Sequence, residues 1–210
     1  MNLDKTLETM ESSVIEMASG VLEQHRSCLA LLSSKDKELA LKVIGYDEFI
    51  NKKEEDINNQ AIAGFALLSP VASDLRRVLV AVKIAGELER IGDYAKSLAS
   101  FIIKHDQGYH ELLEYAIVME KEVIVMLEKA MQSYEEHNLE LAFEIPKRDE
   151  AVNELLKEFK ERLSKTTDID MGYFYYLVSL FRSIERAGDH ITNICEDVVF
   201  LIKGIHYDFD

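Results

Sequence analysis

Apolar residues recur at three- and four-residue spacing almost throughout the 210-residue chain. This is the period of an α-helix that buries one face. Five short breaks, marked by polar residues, glycine or proline, divide the pattern into six predicted helices. They span residues 2–33, 36–68, 71–104, 109–136, 138–165 and 169–204. Asp36 is placed to cap the second helix, and Pro70 to begin the third.

The connections between these helices are short, and short connections make consecutive helices antiparallel. The predicted fold class is therefore all-α: two tandem three-helix bundles, each running up, down and up. The boundary is expected near Asp106–Gly108, so residues 1–106 form the first bundle and residues 107–210 the second. The last residues, from His206 onward, are expected to fray.

The two predicted bundles share a sequence motif. Glu89-Arg90-Ile91-Gly92-Asp93 in the third helix reappears as Glu185-Arg186-Ala187-Gly188-Asp189 in the sixth. A second pair of stretches also matches, Asp47 to Asn51 with Asp149 to Asn153. A repeat that keeps acids, arginine and glycine, and not only apolar spacing, indicates a duplicated site.

The repeated residues are predicted to meet across each helical hairpin. Asp47 and Asp93 lie equally far from the turn near residue 70, and so do Asn51 and Glu89. The same relation holds in the second half, where Asp149 faces Asp189 and Asn153 faces Glu185. Within each helix the i, i+4 spacing places both side chains on one face. Each hairpin therefore gathers three carboxylates and one amide.

Glu89 and Glu185 occupy positions that apolar residues hold elsewhere on the same helical seam. Burying several acids together costs several kcal/mol and raises their pKa values unless a cation is present. Oxygen ligands suit hard cations such as Mg²⁺, Ca²⁺, Mn²⁺ or iron. A metal is thus the simplest explanation. A polar network that sets helix register, with no metal, is the alternative. Mid-helix Gly92 and Gly188 indicate crowding at this level.

Composition narrows the function classes. The formal net charge is −15, which opposes binding to nucleic-acid phosphates. No stretch is long and apolar enough to predict a membrane span or a signal sequence. Cys28 and Cys195 lack metal-type spacing and are expected to be reduced thiols, so a cytoplasmic protein is predicted. Nucleotide-binding, hydrolase and zinc-protease motifs are absent, and so is the Glu-x-x-His of di-iron oxidases. No catalytic residue is therefore proposed.

The duplicated Glu-Arg-x-Gly-Asp motif, Asp74-Leu75-Arg76 and the paired Asp-x-x-x-Asn stretches resemble the PhoU family of phosphate-uptake regulators. The resemblance covers nearly the whole chain. It implies a soluble helical protein, often dimeric, that negatively regulates phosphate-starvation signalling. Such proteins link a phosphate ABC transporter, through its ATPase, to a membrane sensor histidine kinase. Several bind metal clusters, iron or zinc among them.

The resemblance also implies roles for the repeated residues. The predicted metal ligands are Glu89, Asp93, Glu185 and Asp189, faced by Asp47, Asn51, Asp149 and Asn153. Arg90 and Arg186 would be outer charges that hold the carboxylates. The metal would be iron, zinc, manganese or magnesium. Gly172 replaces the arginine of the second Asp-Leu-Arg, and the two asparagines stand where a stricter pair would have aspartates.

The predicted function is a non-enzymatic adaptor in phosphate uptake, with a metal-braced acidic face that docks onto the transporter ATPase and the kinase. Two rivals stay open. One is a carboxylate-metal hydrolase or oxidase, which would need an open coordination position and a pocket. The other is a structural helical adaptor without stoichiometric metal. A relative linked to phosphate export or polyphosphate is a third possibility.

Overall fold

A computed structural model of the protein describes residues 3–68, 72–105, 110–167 and 169–209. The predicted turn at Ser69–Pro70 and the predicted bundle boundary at 106–108 lie outside these ranges. The helices are α1 (Leu3–Ser34), α2 (Lys37–Leu68), α3 (Ala72–Lys104), α4 (His110–Glu136), α5 (Leu139–Glu144), α6 (Pro146–Ser164) and α7 (Met171–Lys203).

The predicted all-α fold is confirmed, and the described ranges contain no β-strand. One helix prediction was wrong, because residues 138–165 form two helices, α5 and α6, that meet at Ile145. Pro146 has no backbone N–H to continue the hydrogen-bond ladder, and its ring crowds the preceding turn. Arg148 N donates instead to Ile145 O at 2.8 Å, which restarts the helix.

Polar caps and one glycine define several helix ends. Asp36 Oδ1 accepts hydrogen bonds from the N–H groups of Glu38 and Leu39, as the sequence predicted. Asp170 Oδ1 accepts from Tyr173 N at 3.0 Å and caps α7. At the other end of α7, Gly204 adopts φ 72°, a left-handed conformation that glycine reaches without strain.

The helices pack as two groups. Helices α1, α2 and α3 contact one another in the first half, and α4 to α7 form the second. The halves join where α3 packs on α7 and α1 packs on α4. Buried leucine, isoleucine, valine and methionine side chains continue across both groups as one core. Free thiols Cys28 and Cys195 are both buried in it.

The carboxyl-terminal segment after α7 does not fray as expected. The Tyr207 ring packs edge-on against Phe143 of α5, with centroids 4.9 Å apart. Phe209 also contacts Phe143, and its backbone N–H donates to Glu196 Oε1 at 3.1 Å. Aromatic packing against α5 and the hydrogen bond to α7 thus hold this segment in place.

None of the described helices is long and apolar enough to cross a membrane.

Candidate functional site

In the first half, α2 and α3 bring three predicted acidic residues together. Asp47 is buried on α2, and its charge raises the pKa values of both Asp93 and Glu89 on α3. Burial is the larger cause of each shift. Asn51 donates to Asp47 Oδ2 at 3.4 Å, so its amide pairs with a residue of its own helix. No hydrogen bond joins Asn51 to Glu89 in the described part of the chain.

A lysine that the sequence reasoning missed completes this cluster. Lys96 Nζ lies 2.6 Å from Asp47 Oδ2, and this contact raises the pKa of the lysine. Lys96 follows Asp93 by one helical turn, so both reach the same face of α3. The i, i+3 spacing from Asp93 was the signal in the sequence that could have indicated the lysine, whose repeat counterpart is Thr192.

In the second half, α6 and α7 bring the equivalent acids together. Asn153 donates to Asp149 Oδ2 at 2.9 Å, whereas Asp149 Oδ1 is buried without a hydrogen-bond partner. Burial, and then the charge of Asp189, raise the pKa of Asp149 to about 6. Burial also raises the pKa values of Glu185 and Asp189. The charges of these carboxylates therefore interact, although Asp189 itself is exposed to solvent.

The two predicted arginines occupy different surroundings. Arg90 Nε lies 3.7 Å from Glu89 Oε2, which is a long and largely exposed ion pair. Arg186 Nε donates to the Tyr94 hydroxyl at 3.0 Å. The charge of Arg186 still lowers the pKa values of Asp189 and Glu185, against the effect of their burial. Both arginines thus act on the carboxylates from outside.

Crowding at the two glycines comes from side chains. A Cβ at position 188 would collide with Asp149 Oδ1. A Cβ at position 92 would lie 3.2 Å from Gln24 Oε1 and 3.4 Å from an Ile50 methyl carbon. Gly188 therefore makes room for the α6 carboxylate against α7.

Interhelical polar contacts connect α3 to α7 beside the site. His190 Nδ1 lies 2.6 Å from Glu87 Oε2, and its Nε2 lies 3.3 Å from the Tyr94 hydroxyl. Asn193 donates to the same Glu87 oxygen at 3.2 Å. Tyr94 and His190 are equivalent positions of the repeat, and the repeat alignment was the available signal.

The two carboxylate clusters differ in how well they could hold a metal. Within residues 3–68, 72–105, 110–167 and 169–209, no three His, Cys, Asp or Glu side chains stand in an arrangement that could hold a metal ion. The second-half acids still have suitable chemistry, since they are oxygen donors with an unpartnered buried atom. The first-half acids fit poorly, because the Lys96 ammonium contacts Asp47.

Comparison with known proteins decides the family. A family model described as PhoU domain matches residues 14–102 and, a second time, residues 117–198. The chain belongs to the PhoU family. The two matches contain both copies of the Glu-Arg-x-Gly-Asp motif.

Similar proteins match the chain over nearly its full length. The phosphate-specific transport system accessory protein PhoU homolog of Clostridium acetobutylicum is 31% identical, over 99% of this chain and 97% of its own. The phosphate-specific transport system accessory protein PhoU of Escherichia coli is 31% identical, over 94% of this chain and 84% of its own. The crystal structure of the regulatory protein PhoU from Streptococcus pneumoniae superposes with a TM-score of 0.90 at 27% identity, covering 99% and 100%.

Substitution of Gly188 tests the close approach of α6 to α7 in this PhoU-family chain. Gly86→Ala is the matched control, because no atom lies within 4 Å of a Cβ there. The control should raise the free energy of unfolding by about 1 kcal/mol through helix propensity. The free energy of unfolding of the Gly188→Ala protein should lie about 1 to 3 kcal/mol below that of the control, because Asp149 must move. Urea denaturation measures both. Equal effects would contradict the crowding.

Neutralising Asp149 should stabilise metal-free protein in a pH-dependent way. The folded-state pKa of about 6 exceeds the ordinary 3.8, so the ionised carboxylate destabilises the fold above pH 6. With solvent screening allowed for, Asp149→Asn should add about 1 to 2 kcal/mol at pH 8. The gain should disappear as the pH falls through 6 toward 3.8.

The measurement is urea denaturation in EDTA at pH 8 and at pH 4.5. Exposed Glu154 lies on the same helix, so Glu154→Gln removes the same charge and serves as control. A gain for Asp149→Asn that is equal at both pH values, or equal to the control, would contradict the burial of this charge.

Proposed function

We propose that this chain is a regulatory accessory protein of phosphate uptake. The proposal rests on the match to proteins named phosphate-specific transport system accessory proteins, which covers most of this chain and most of each relative. The fold supports it, with a TM-score of 0.90 to a phosphate transport system regulatory protein over 99% of the chain. Function is shared most readily where sequence and fold both match along the whole length.

The proposed mechanism is negative regulation by docking. At high phosphate the protein binds the ATPase of a phosphate ABC transporter and a sensor histidine kinase, and starvation signalling stays off. The chain acts in the cytoplasm as a homodimer and catalyses no reaction. Its net charge of −15 favours partners that present basic surfaces.

The carboxylate sites stiffen the docking surface in this mechanism. Asp149, Asn153, Glu185 and Asp189 are the residues that would hold a metal in the second half. A bound divalent cation would neutralise acids whose pKa values burial already raises. Asn153 orients Asp149 through its 2.9 Å hydrogen bond, and Arg186 offsets part of the negative charge. The α6–α7 pair would thereby become more rigid.

Deletion of the gene in its own host tests the regulatory role. We expect a phosphate-starvation reporter to switch on at high phosphate, and the wild-type gene to switch it off again. Affinity purification of the chain from membranes at high phosphate should recover the transporter ATPase and the kinase. A silent reporter, or folded protein that retains neither partner, would contradict the proposal. Analytical ultracentrifugation of the purified chain measures the proposed dimer.

A metal-free structural adaptor is the second candidate, and one observation favours it. Lys96 already neutralises Asp47 at 2.6 Å, so the first cluster is an internally paired polar network. In that case Glu89→Gln would be tolerated or stabilising, because it removes a carboxylate whose pKa burial and Asp93 raise. Loss of regulation in Glu89→Gln protein that stays folded would count against this candidate.

A further inference from the structure

The carboxyl-terminal segment, residues 205–209, lies over one face of α7. Tyr207 and Phe209 of this segment line a cavity together with four residues of α7. These four are Asp189, Thr192, Asn193 and Glu196. The backbone N–H of Phe209 donates to Glu196 Oε1 at 3.1 Å. The segment is not helical, and from residue 207 its sequence is Tyr-Asp-Phe-Asp. An acidic segment with aromatic side chains thus binds along this helix face.

The equivalent face of α3 carries no such segment among the described residues. Through the repeat, the four α7 residues correspond to Asp93, Lys96, Ser97 and Ser100. All of these line a groove of about 410 Å³, the α3–α7 groove, whose opposite wall is formed by Tyr176, Ser179 and Leu180 of α7. In the second half, the opposite wall is formed by α5 and α6 instead. The α3 face is therefore open where its counterpart is covered.

The α3–α7 groove also differs in charge from the covered face. Lys96 and Lys104 line the groove, and the repeat places Thr192 and Phe200 at the equivalent positions of α7. Asp93 is the one acid among the described residues that line it. The α3 face is thus the more positive of the two.

An adjoining pocket adds two further cations. Its volume is about 350 Å³, and it shares Ser179 and Ser183 with the α3–α7 groove. Arg182 and Arg186 also line this pocket. Arg186 already donates to the Tyr94 hydroxyl. Cations gathered in one place contrast with the net charge of −15 of the whole chain, and they complement a negatively charged ligand.

Two of the cations are available to such a ligand. Lys104 and Arg182 are exposed, and neither forms an ion pair with the residues that the structure describes. Lys104 Nζ lies 5.8 Å from the centre of the Tyr176 ring. Tyr176 and Arg182 are six residues apart, which is about 9 Å along α7. Because the charges are spread along the groove, they suit an extended anionic ligand better than a single phosphate ion.

We infer that the α3–α7 groove is a docking site for an extended acidic peptide segment of a partner protein that also carries an aromatic side chain. The carboxylates of the segment face Lys104 and Arg182. Its aromatic ring packs on Tyr175 and Tyr176, which are 69% and 40% exposed. The chain itself shows that a segment of this chemistry binds the equivalent helix face. The inference rests on the docking part of the proposed function and names the surface and the kind of partner segment.

The carboxyl-terminal segment supplies the probe for the test. A fluorescein-labelled peptide with the sequence of residues 204–210, Gly-Ile-His-Tyr-Asp-Phe-Asp, is titrated with the full chain, and fluorescence anisotropy measures binding. We expect binding that weakens as the salt concentration rises. Lys104→Glu and Arg182→Glu should each weaken it by about fivefold or more. Lys121→Glu makes the same charge change at an exposed position of α4 and should leave binding unchanged.

Two further controls identify the binding mode. A peptide with asparagine in place of both aspartates should bind more weakly to the wild-type chain. Phe143→Ala removes the ring that Tyr207 and Phe209 contact, and it should leave binding unchanged, because the probe does not replace the chain's own segment. Circular dichroism verifies that each variant is folded.

Several outcomes would overturn the inference. These are no binding of the probe, equal binding by the wild type and both groove variants, and loss of binding in Phe143→Ala protein. Binding of ATP or inorganic phosphate that depends on Lys104 and Arg182, without binding of the peptide, would make the groove a small-anion site instead. The reporter assay of the gene deletion does not involve the peptide, so the regulatory function and this inference can fail separately.

Discussion

His25→Leu is expected to lower the free energy of unfolding by about 3 to 5 kcal/mol, because it leaves a buried glutamate without its partner. His25 Nδ1 lies 2.7 Å from Glu120 Oε1, and the two side chains are 1% and 0% exposed. The second imidazole nitrogen, Nε2, lies 3.0 Å from Ile91 O. The pair connects α1 and α3 of the first half to α4 of the second, so its loss should loosen both halves together.

Helices α1 and α4 also supply a matched control. Arg26 and Glu128 form an ion pair at 2.6 Å between α1 and α4, but their side chains are 52% and 42% exposed. Arg26→Leu should therefore cost about 1 kcal/mol or less. His25→Leu/Glu120→Leu should recover most of the lost stability, because two apolar side chains replace a buried pair. Equal losses for His25→Leu and Arg26→Leu in urea denaturation would contradict this prediction.

The pair should also make stability depend on pH. Burial alone would lower the pKa of His25, but the charge and hydrogen bond of Glu120 raise it above the ordinary 6.5. The stabilisation from the charged pair is therefore complete below pH 6.5 and is lost as the pH rises through the raised value. The stability difference between the wild type and His25→Leu/Glu120→Leu should change accordingly across that range.

Phe159→Ala is expected to cost about 3 to 5 kcal/mol and to loosen the second carboxylate site. The Phe159 ring of α6 stacks on Phe181 of α7, with centroids 3.5 Å apart and planes 8° from parallel. Both rings are fully buried. This stack holds α6 on α7 below the level of Asp149 and Asp189, so its removal leaves a cavity at the base of the site.

Tyr175 on α7 is the control, since 69% of it is accessible to solvent. Tyr175→Ala should cost about 1 kcal/mol, because most of this side chain is already in water. The measurements are urea denaturation and the NMR-detected pKa of Asp149, which should fall in Phe159→Ala protein as water enters. A loss of stability equal to that of the control would contradict the role of the stack.

Most of the fold was predictable because helix formation depends on residues that are close together in the sequence. Apolar periodicity located each helix, and Asp36 and Asp170 cap where a short polar side chain precedes an apolar run. The break at Ile145 was missed, since periodicity continues across Pro146 and only the missing N–H reveals it. The docking of Tyr207 and Phe209 was missed because it depends on Phe143, far away in the sequence.

The grouping of the acids was predictable because the two halves repeat and hairpin geometry pairs positions equally far from a turn. That reasoning places Asp47 near Asp93 and Asp149 near Asp189, where their charges interact. It cannot place Lys96 on Asp47, or show that Thr192 leaves a buried hydroxyl unpartnered. Those contacts depend on side-chain rotamers that packing selects.

The sequence by itself determined the helices, the duplication and which acids share a level, because these follow from local periodicity and from a repeat that keeps its register. Only the tertiary structure decided how the halves join: His25 with Glu120, Tyr94 with His190, and α3 along α7. Such contacts join residues far apart in the chain. Burial and packing select them, and no local pattern in the sequence encodes burial at that range.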